Sequence, residues 1–241
     1  MNRESKEIFA RQNLPGLVAA QKTASNCYSV GKLWSGLLVF LSVVVPVVIN
    51  IILSIFNIDT LNCCLIFISF ACFGLSELTR AMMKKWKFYG AGMQQYFDEC
   101  VFDLKNSCKK YICPKKLSYF ERSKLIKKFE KKDNKPFQNW YSDFSSLSYE
   151  DAVYQCQKQN IRWDICVRKN YLIFLIIISV VIIAGIVLNA IIKRMDILLI
   201  IAILSSLVPI VTFLYNGIKK LCKDIKSQRS LYEHIESIES E

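Results

Sequence analysis

The chain has 241 residues, 53% of them hydrophobic, and a formal net charge of +12. Strong positive charge together with a positive mean hydropathy of +0.27 excludes an ordinary soluble basic protein. The apolar residues are clustered, which points to a membrane.

Residues 1–32 are polar and charged and form a cytoplasmic amphipathic segment. A helix over 5–32, interrupted at Pro15, places Leu17, Ala20, Ala24, Cys27 and Tyr28 on one side, a face that packs on a cytoplasmic domain or lies at the membrane interface. Residues 33–56 contain no charged residue over 24 positions and 60–76 none over 17. About 20 apolar residues at 1.5 Å each cross the hydrocarbon core, so these runs predict a transmembrane hairpin over 33–78. The first run is too long for a secretory signal and has no small-residue cleavage site.

A helical cytoplasmic domain follows over 79–169. The second span is expected to continue outward as one helix, with Met93, Phe97, Val101 and Leu104 at helical spacing, weakened by Gly90 and Gly92 and ended by Pro114. Ser118 and Glu121 form a capping box for a short basic helix ending near Lys132, and the segment up to Leu147 is loop. Ser148 and Asp151 start a helix that enters the third span without Gly or Pro. Residues 171–192 and 197–218 each carry no charge over 22 positions and predict a second hairpin over 170–218, followed by a cytoplasmic tail, 219–241. No strand-like alternation occurs. The expected fold is therefore an all-α membrane protein of four spans in two helical hairpins, joined by a helical cytoplasmic domain.

Lys and Arg set the orientation. Residues 1–32 hold 5, residues 77–170 hold 20 and residues 219–241 hold 5, against 0 and 2 in the connections 57–59 and 193–196. Both connections are then extracytoplasmic and both termini cytoplasmic. Of ten cysteines, Cys63, Cys64 and Cys72 fall in the bilayer and seven on the cytoplasmic side, so free thiols are expected. Cys108 and Cys113 are near in sequence, but His234 is the sole histidine and no second Cys pair has ligand spacing, so no metal site is expected.

Polar residues recur where apolar ones are expected. Gln157, Asn160, Asp164 and Arg168 line one side of the helix entering the third span. Counting 1.5 Å per residue along antiparallel helices sets Gln94 level with about Gln155 to Gln157 and Arg168 level with about Ala81. Asp98 is then out of Arg168's reach, and Asp164 is its nearer partner at i,i+4. The stripe either fixes the register of the helix pair or acts as a gating stalk or ligand contact.

Within the spans, Ser42, Pro46 and Asn50 on the first, Asn62 and Ser69 on the second, Asn189 on the third, and Ser205, Pro209, Thr212 and Asn216 on the fourth form small or polar stripes. These are helix-packing surfaces or the wet wall of a pore in an oligomer. The basic segment, with Lys109, Lys110, Lys116, Lys124, Lys127, Lys128, Lys131 and Lys132 among others, suits anionic membrane lipid, and its field would also attract a phosphate-bearing ligand. Nucleic acid is not expected as a partner. With one His, a lone Gly90-Ala91-Gly92 and no nucleophile beside a base, the chain is not read as an enzyme, and no cofactor is expected.

Three motifs in order, "RQNLPGLVAAQ…YSVGK", "GAGMQQYFDECVFDL" and "NWYSDF…CQKQNIRWDICVR", surround the four spans. In this the chain resembles the SMODS-associated four-transmembrane pore-forming effectors. The matching positions include Gln12, Asn13, Gln21, Gln94, Phe97, Asp98, Val101 and Phe102. Further matches are Trp140, Tyr141, Cys156, Gln157, Asn160, Asp164 and Arg168. The resemblance implies an anti-phage (CBASS) effector in the bacterial inner membrane. The expected function is a homo-oligomer that permeabilises the membrane when a cyclic-oligonucleotide signal from a partner nucleotidyltransferase, or the loss of an inhibitory one, alters the cytoplasmic domain. A non-conducting membrane-anchored sensor or scaffold is the alternative.

Overall fold

The computed structural model describes residues 4–45, 62–104, 116–131, 137–192 and 197–239. Among these residues six α-helices follow in order: α1 (Ser5–Arg11), α2 (Pro15–Val39), α3 (Asn62–Val101), α4 (Tyr119–Phe129), α5 (Tyr149–Ile192) and α6 (Ile197–Glu239). There is no strand among the described residues, whose regular structure is all helical, as expected. Pro15 stands at the first position of α2, where its missing N–H is no loss and its fixed φ suits the helix. The winding after α2 widens to a π-helix over Phe40–Val44. Pro46 follows in the sequence with no N–H to offer the Ser42 carbonyl.

The chain divides into two compact units, residues 1–38 with 77–159, and residues 39–76 with 160–241. In the first, α2 and α3 run antiparallel, with Tyr28 against Gly90 and Gly31 beside Trp86 and Lys87. The glycines that weaken the helix pattern have a packing reason. A Cβ on Gly90 would lie 3.0 Å from the Tyr28 ring, and one on Gly92 would lie 2.7 Å from Leu117. Leu17, Ala20, Ala24 and Cys27 are buried, so the apolar face of α2 packs on protein. One core gathers Ile8, Leu17, Phe97, Val101, Phe102, Tyr141, Tyr149, Ala152 and Cys156. A second gathers Ala20, Ala24, Cys27, Trp86, Met93, Leu117, Leu125 and Phe129. Helix α4 joins the second core through Leu125 and Phe129, and the capping box of Ser118 and Glu121 starts it.

Helix α3 does not run to Pro114. It stops at Val101, and Asp103 takes a left-handed φ of 47° beyond it. The cause is tertiary. Arg11 Nε donates to the Val101 carbonyl (2.9 Å) and the Tyr149 hydroxyl to that of Phe102, so residues from α1 and α5 satisfy the orphan carbonyls and Phe102 turns inward.

In the second unit, α5 and α6 pair in antiparallel register. Arg168 meets Asp224, and two turns further on Gly217 faces Leu175. Beyond Tyr171 many apolar side chains of α5 are uncovered: Phe174, Val181 and Ile183 are 55%, 64% and 60% exposed. Residues 149–185 of α5 are long and apolar enough to cross a membrane, with a mean hydropathy of 2.1 in the most apolar window.

Candidate functional site: the Tyr141 loop and the Asp98 cleft

Residues 139–142 carry no helix to satisfy their backbone groups, and three amide side chains do so instead. Asn13 accepts from Asn139 N (2.9 Å) and donates to the Asn139 side chain (2.8 Å). Gln12 accepts from Tyr141 N (2.8 Å) and donates to Tyr141 O (3.3 Å), both groups buried. Gln159 on α5 accepts from Ser142 N (3.0 Å) and donates to Trp140 O (3.2 Å). An amide carries donor and acceptor on one planar group, so it pairs with a strand-like backbone as a neighbouring strand would. Asn139 itself holds a left-handed φ of 52°.

The loop delivers Tyr141 into the core. Its ring is 1% exposed, stacks on Phe97 at 6.2 Å and tilts on Phe102 at 5.4 Å. Its hydroxyl donates to Asp98 Oδ1 at 2.6 Å. Burial raises the pKa of Asp98 to about 6, against the lowering effect of that hydrogen bond, and the charge of Glu99 raises it further. Asp98 is thus mostly ionised at neutral pH and gains a proton about two units above an ordinary aspartate. Nearby, burial pushes the Cys156 thiol up to about 12, which makes it a packing group and no nucleophile.

Asp98 also borders an open cleft of about 290 Å³ lined by Tyr28, Ala91, Gln94, Gln95, Asp98, Glu99 and Leu104. The Tyr28 hydroxyl donates to Gln94 Oε1 (3.4 Å). Gln95 donates to Glu99 Oε1 (2.8 Å), and Lys116 pairs with the same oxygen at 2.8 Å.

The structure therefore brings together Gln94, Asp98, Trp140 and Tyr141 with Gln12 and Asn13. Gln157 takes part in none of these bonds; Gln159, two residues on, makes the contact to the loop. Both are glutamines in the same polar stretch, and the backbone that Gln159 serves is distant in sequence, so the sequence has no signal to separate them.

In the second unit Arg168 Nε donates to Asp164 (2.7 Å), the i,i+4 contact expected, and Arg168 Nη1 donates to Asp224 of α6 at 3.0 Å. Asp224 is not among the expected partners. It lies about as far beyond the 193–196 connection as Arg168 lies before it, so the counting applied to α3 and α5 locates it. Asn160 stands one turn before Asp164 on α5.

Of the span stripes, Pro46 and Asn50 lie outside the described residues. Ser42 falls in the π-helical turn, Asn62 and Ser69 on α3, Asn189 on α5, and Ser205 and Pro209 on α6, while Thr212 and Asn216 are exposed on α6. Of the basic segment, Lys109, Lys110 and Lys132 lie outside the described residues. Lys128 sits 4.4 Å over the Trp86 ring.

Comparison with known proteins gives a family match over residues 6–241, to the SMODS-associating 4TM effector domain. A protein of Bacillus cereus (strain VD146) named "Probable CBASS effector molecule" is 22% identical over 182 residues, 72% of this chain and 59% of that protein. The chain thus spans about three fifths of the length of that curated relative. No solved structure matches.

Proposed function

This chain belongs to the SMODS-associating 4TM effector family, a family of membrane effector domains, and from that membership we propose that it is a CBASS-linked effector of the bacterial inner membrane. Four helices cross the bilayer as hairpins over residues 33–78 and 170–218. Residues 1–32, 79–169 and 219–241 face the cytoplasm, and the assembled oligomer permeabilises the membrane when a cyclic oligonucleotide switches the cytoplasmic part. The observation that carries this reading is α5. One unbroken helix, Tyr149–Ile192, has Ala152 and Cys156 in a packed core and Gln159 on the Tyr141 loop, and the same helix continues into the apolar stretch. From Tyr149 to Ala184 this helix has neither Gly nor Pro, so no hinge residue separates its packed end from the apolar stretch and a shift at that end is passed along it.

Purified protein in dye-loaded liposomes tests the function. Release of dye on adding cyclic oligonucleotides is expected. Confirmed insertion with no release for any of them supports a non-conducting sensor or scaffold instead. Topology is tested by Asn57→Cys and Met195→Cys in a background without reactive thiols. Both are expected to label from the periplasmic side alone, and cytoplasmic labelling would overturn the orientation.

A further inference from the structure

The cleft beside Asp98 has unspent hydrogen-bonding groups of a definite kind. Gln94 and Asp98 are four residues apart on α3 and so stand side by side on one face. Gln94 Oε1 is occupied by the Tyr28 hydroxyl and Asp98 Oδ1 by that of Tyr141. Gln94 Nε2 and the second Asp98 oxygen have no partner among the described residues. Gln95 and Glu99, which line the same cleft, are taken up by each other and by Lys116. What remains is an amide donor next to a carboxylate acceptor, beside the Tyr28 phenol, in a volume at the lower end of small-molecule sites.

An acceptor and a donor side by side match the edge of a nucleobase, which presents an N–H beside a carbonyl oxygen or ring nitrogen. The lining carboxylates repel phosphate from the interior, whereas Lys116, half-exposed beside Glu99, offers a cation to a phosphate outside it. We propose that this cleft is the input site of the protein, and that it takes the base of a nucleotide ligand through Gln94 and Asp98 while the phosphate stays outside near Lys116.

The site has a built-in output. A ligand hydrogen-bonded to Asp98 competes for the carboxylate that holds Tyr141, and Tyr141 belongs to the loop that Gln159 of α5 grips on both sides. Tyr141 and Gln159 are positioning residues here and do not touch the ligand.

The ligand class rests on the function proposed above, so the test separates the two. Full-length protein in nanodiscs is titrated calorimetrically with cyclic di- and trinucleotides covering all four bases, and with ribose 5-phosphate as a phosphate without a base. At least one cyclic nucleotide is expected to bind and ribose 5-phosphate is not. Asp98→Asn is expected to weaken binding tenfold or more and Gln94→Leu severalfold, with unchanged melting of the free Gln94→Leu protein showing that its fold is intact. Unchanged affinity in both variants overturns the cleft as the site and leaves the effector reading standing. Equal binding of ribose 5-phosphate overturns base recognition. Failure of every cyclic nucleotide to bind overturns the site and the effector reading together.

Discussion

The two units of the chain hide apolar surface in opposite ways. In the first, a packed core takes Phe97, Phe102, Met93 and Ile8, which have no exposed surface, and polar side chains hold named backbone groups. In the second, the side chains of α5 from Ile173 to Leu188 are mostly more than half exposed, and Arg168, held by two carboxylates, ties α5 to α6. A surface like that of α5 is stable only against lipid or another apolar surface, because in water each exposed apolar Å² costs about 25 cal/mol. The difference shows that one unit is specified by jigsaw packing and the other by its surroundings.

Substitutions can break or sharpen that contrast. The largest effect is expected from Tyr141→Ala, which empties the centre of the first core and frees the loop from Asp98. A buried aromatic truncated to Ala costs about 3–5 kcal/mol. Limited proteolysis should then cut the first unit while α5 and α6 of the second stay protected in detergent. Equal loss of both would mean that the units do not melt separately.

Next in size is Asp98→Asn. The folded pKa of about 6 lies above the ordinary value of 3.8, so the native state holds this proton more tightly than the unfolded chain does. Its contribution to stability is fully present below about pH 4 and is lost as pH rises through about 6, an effect of at most about 3 kcal/mol. The melting temperature of the parent minus that of the Asp98→Asn variant should therefore be larger at pH 4.5 than at pH 7.5, with the variant the more stable at the higher pH. Glu121 and Asp143, held low by the backbone N–H bonds of Ser118 and Ser145, work in the opposite sense, which is why the difference and not the raw curve is read. A difference independent of pH would show that Asp98 is not desolvated.

Gly92→Ala against Gly185→Ala compares the units directly. The added methyl at Gly92 meets Leu117 at 2.7 Å, and at Gly185 it meets nothing within 4 Å among the described residues. Overpacking outweighs the gain in helix propensity at the first, a net loss of about 1 kcal/mol by thermal melting. The second should leave melting unchanged, and a changed oligomer size on a sizing column would mark that face as a contact between copies.

The smallest effects are at the clamp. Arg168→Met leaves Asp164 and Asp224 facing each other, yet all three side chains are about a third exposed, so the expected loss is about 1 kcal/mol. Asp164→Asn leaves Asp224 in place and should cost only a few tenths. A double-mutant cycle of Arg168→Met with Asp224→Asn measures the bond between helices, and a coupling near zero would show that the clamp does not hold them.

The helices, their starts and the apolar stretches were legible in the sequence because each is a local matter. Ser118 and Glu121 cap α4 across one turn, Pro15 opens α2, and the 3.6-residue spacing of Leu17, Ala20, Ala24 and Cys27 marks its buried face whatever lies against it. The Asp164–Arg168 pair was legible for the same reason, being one turn of one helix. The end of α3 at Val101, the choice of Gln159 over Gln157 and the second carboxylate on Arg168 were not. Each depends on a partner brought from far along the chain: Arg11 and Tyr149 on the last carbonyls of α3, the loop at 139–142 on Gln159, and Asp224 on Arg168. Sequence spacing determines which side of a helix a residue occupies, whereas which distant group meets that side is set by how the helices pack, and only the tertiary structure decides that.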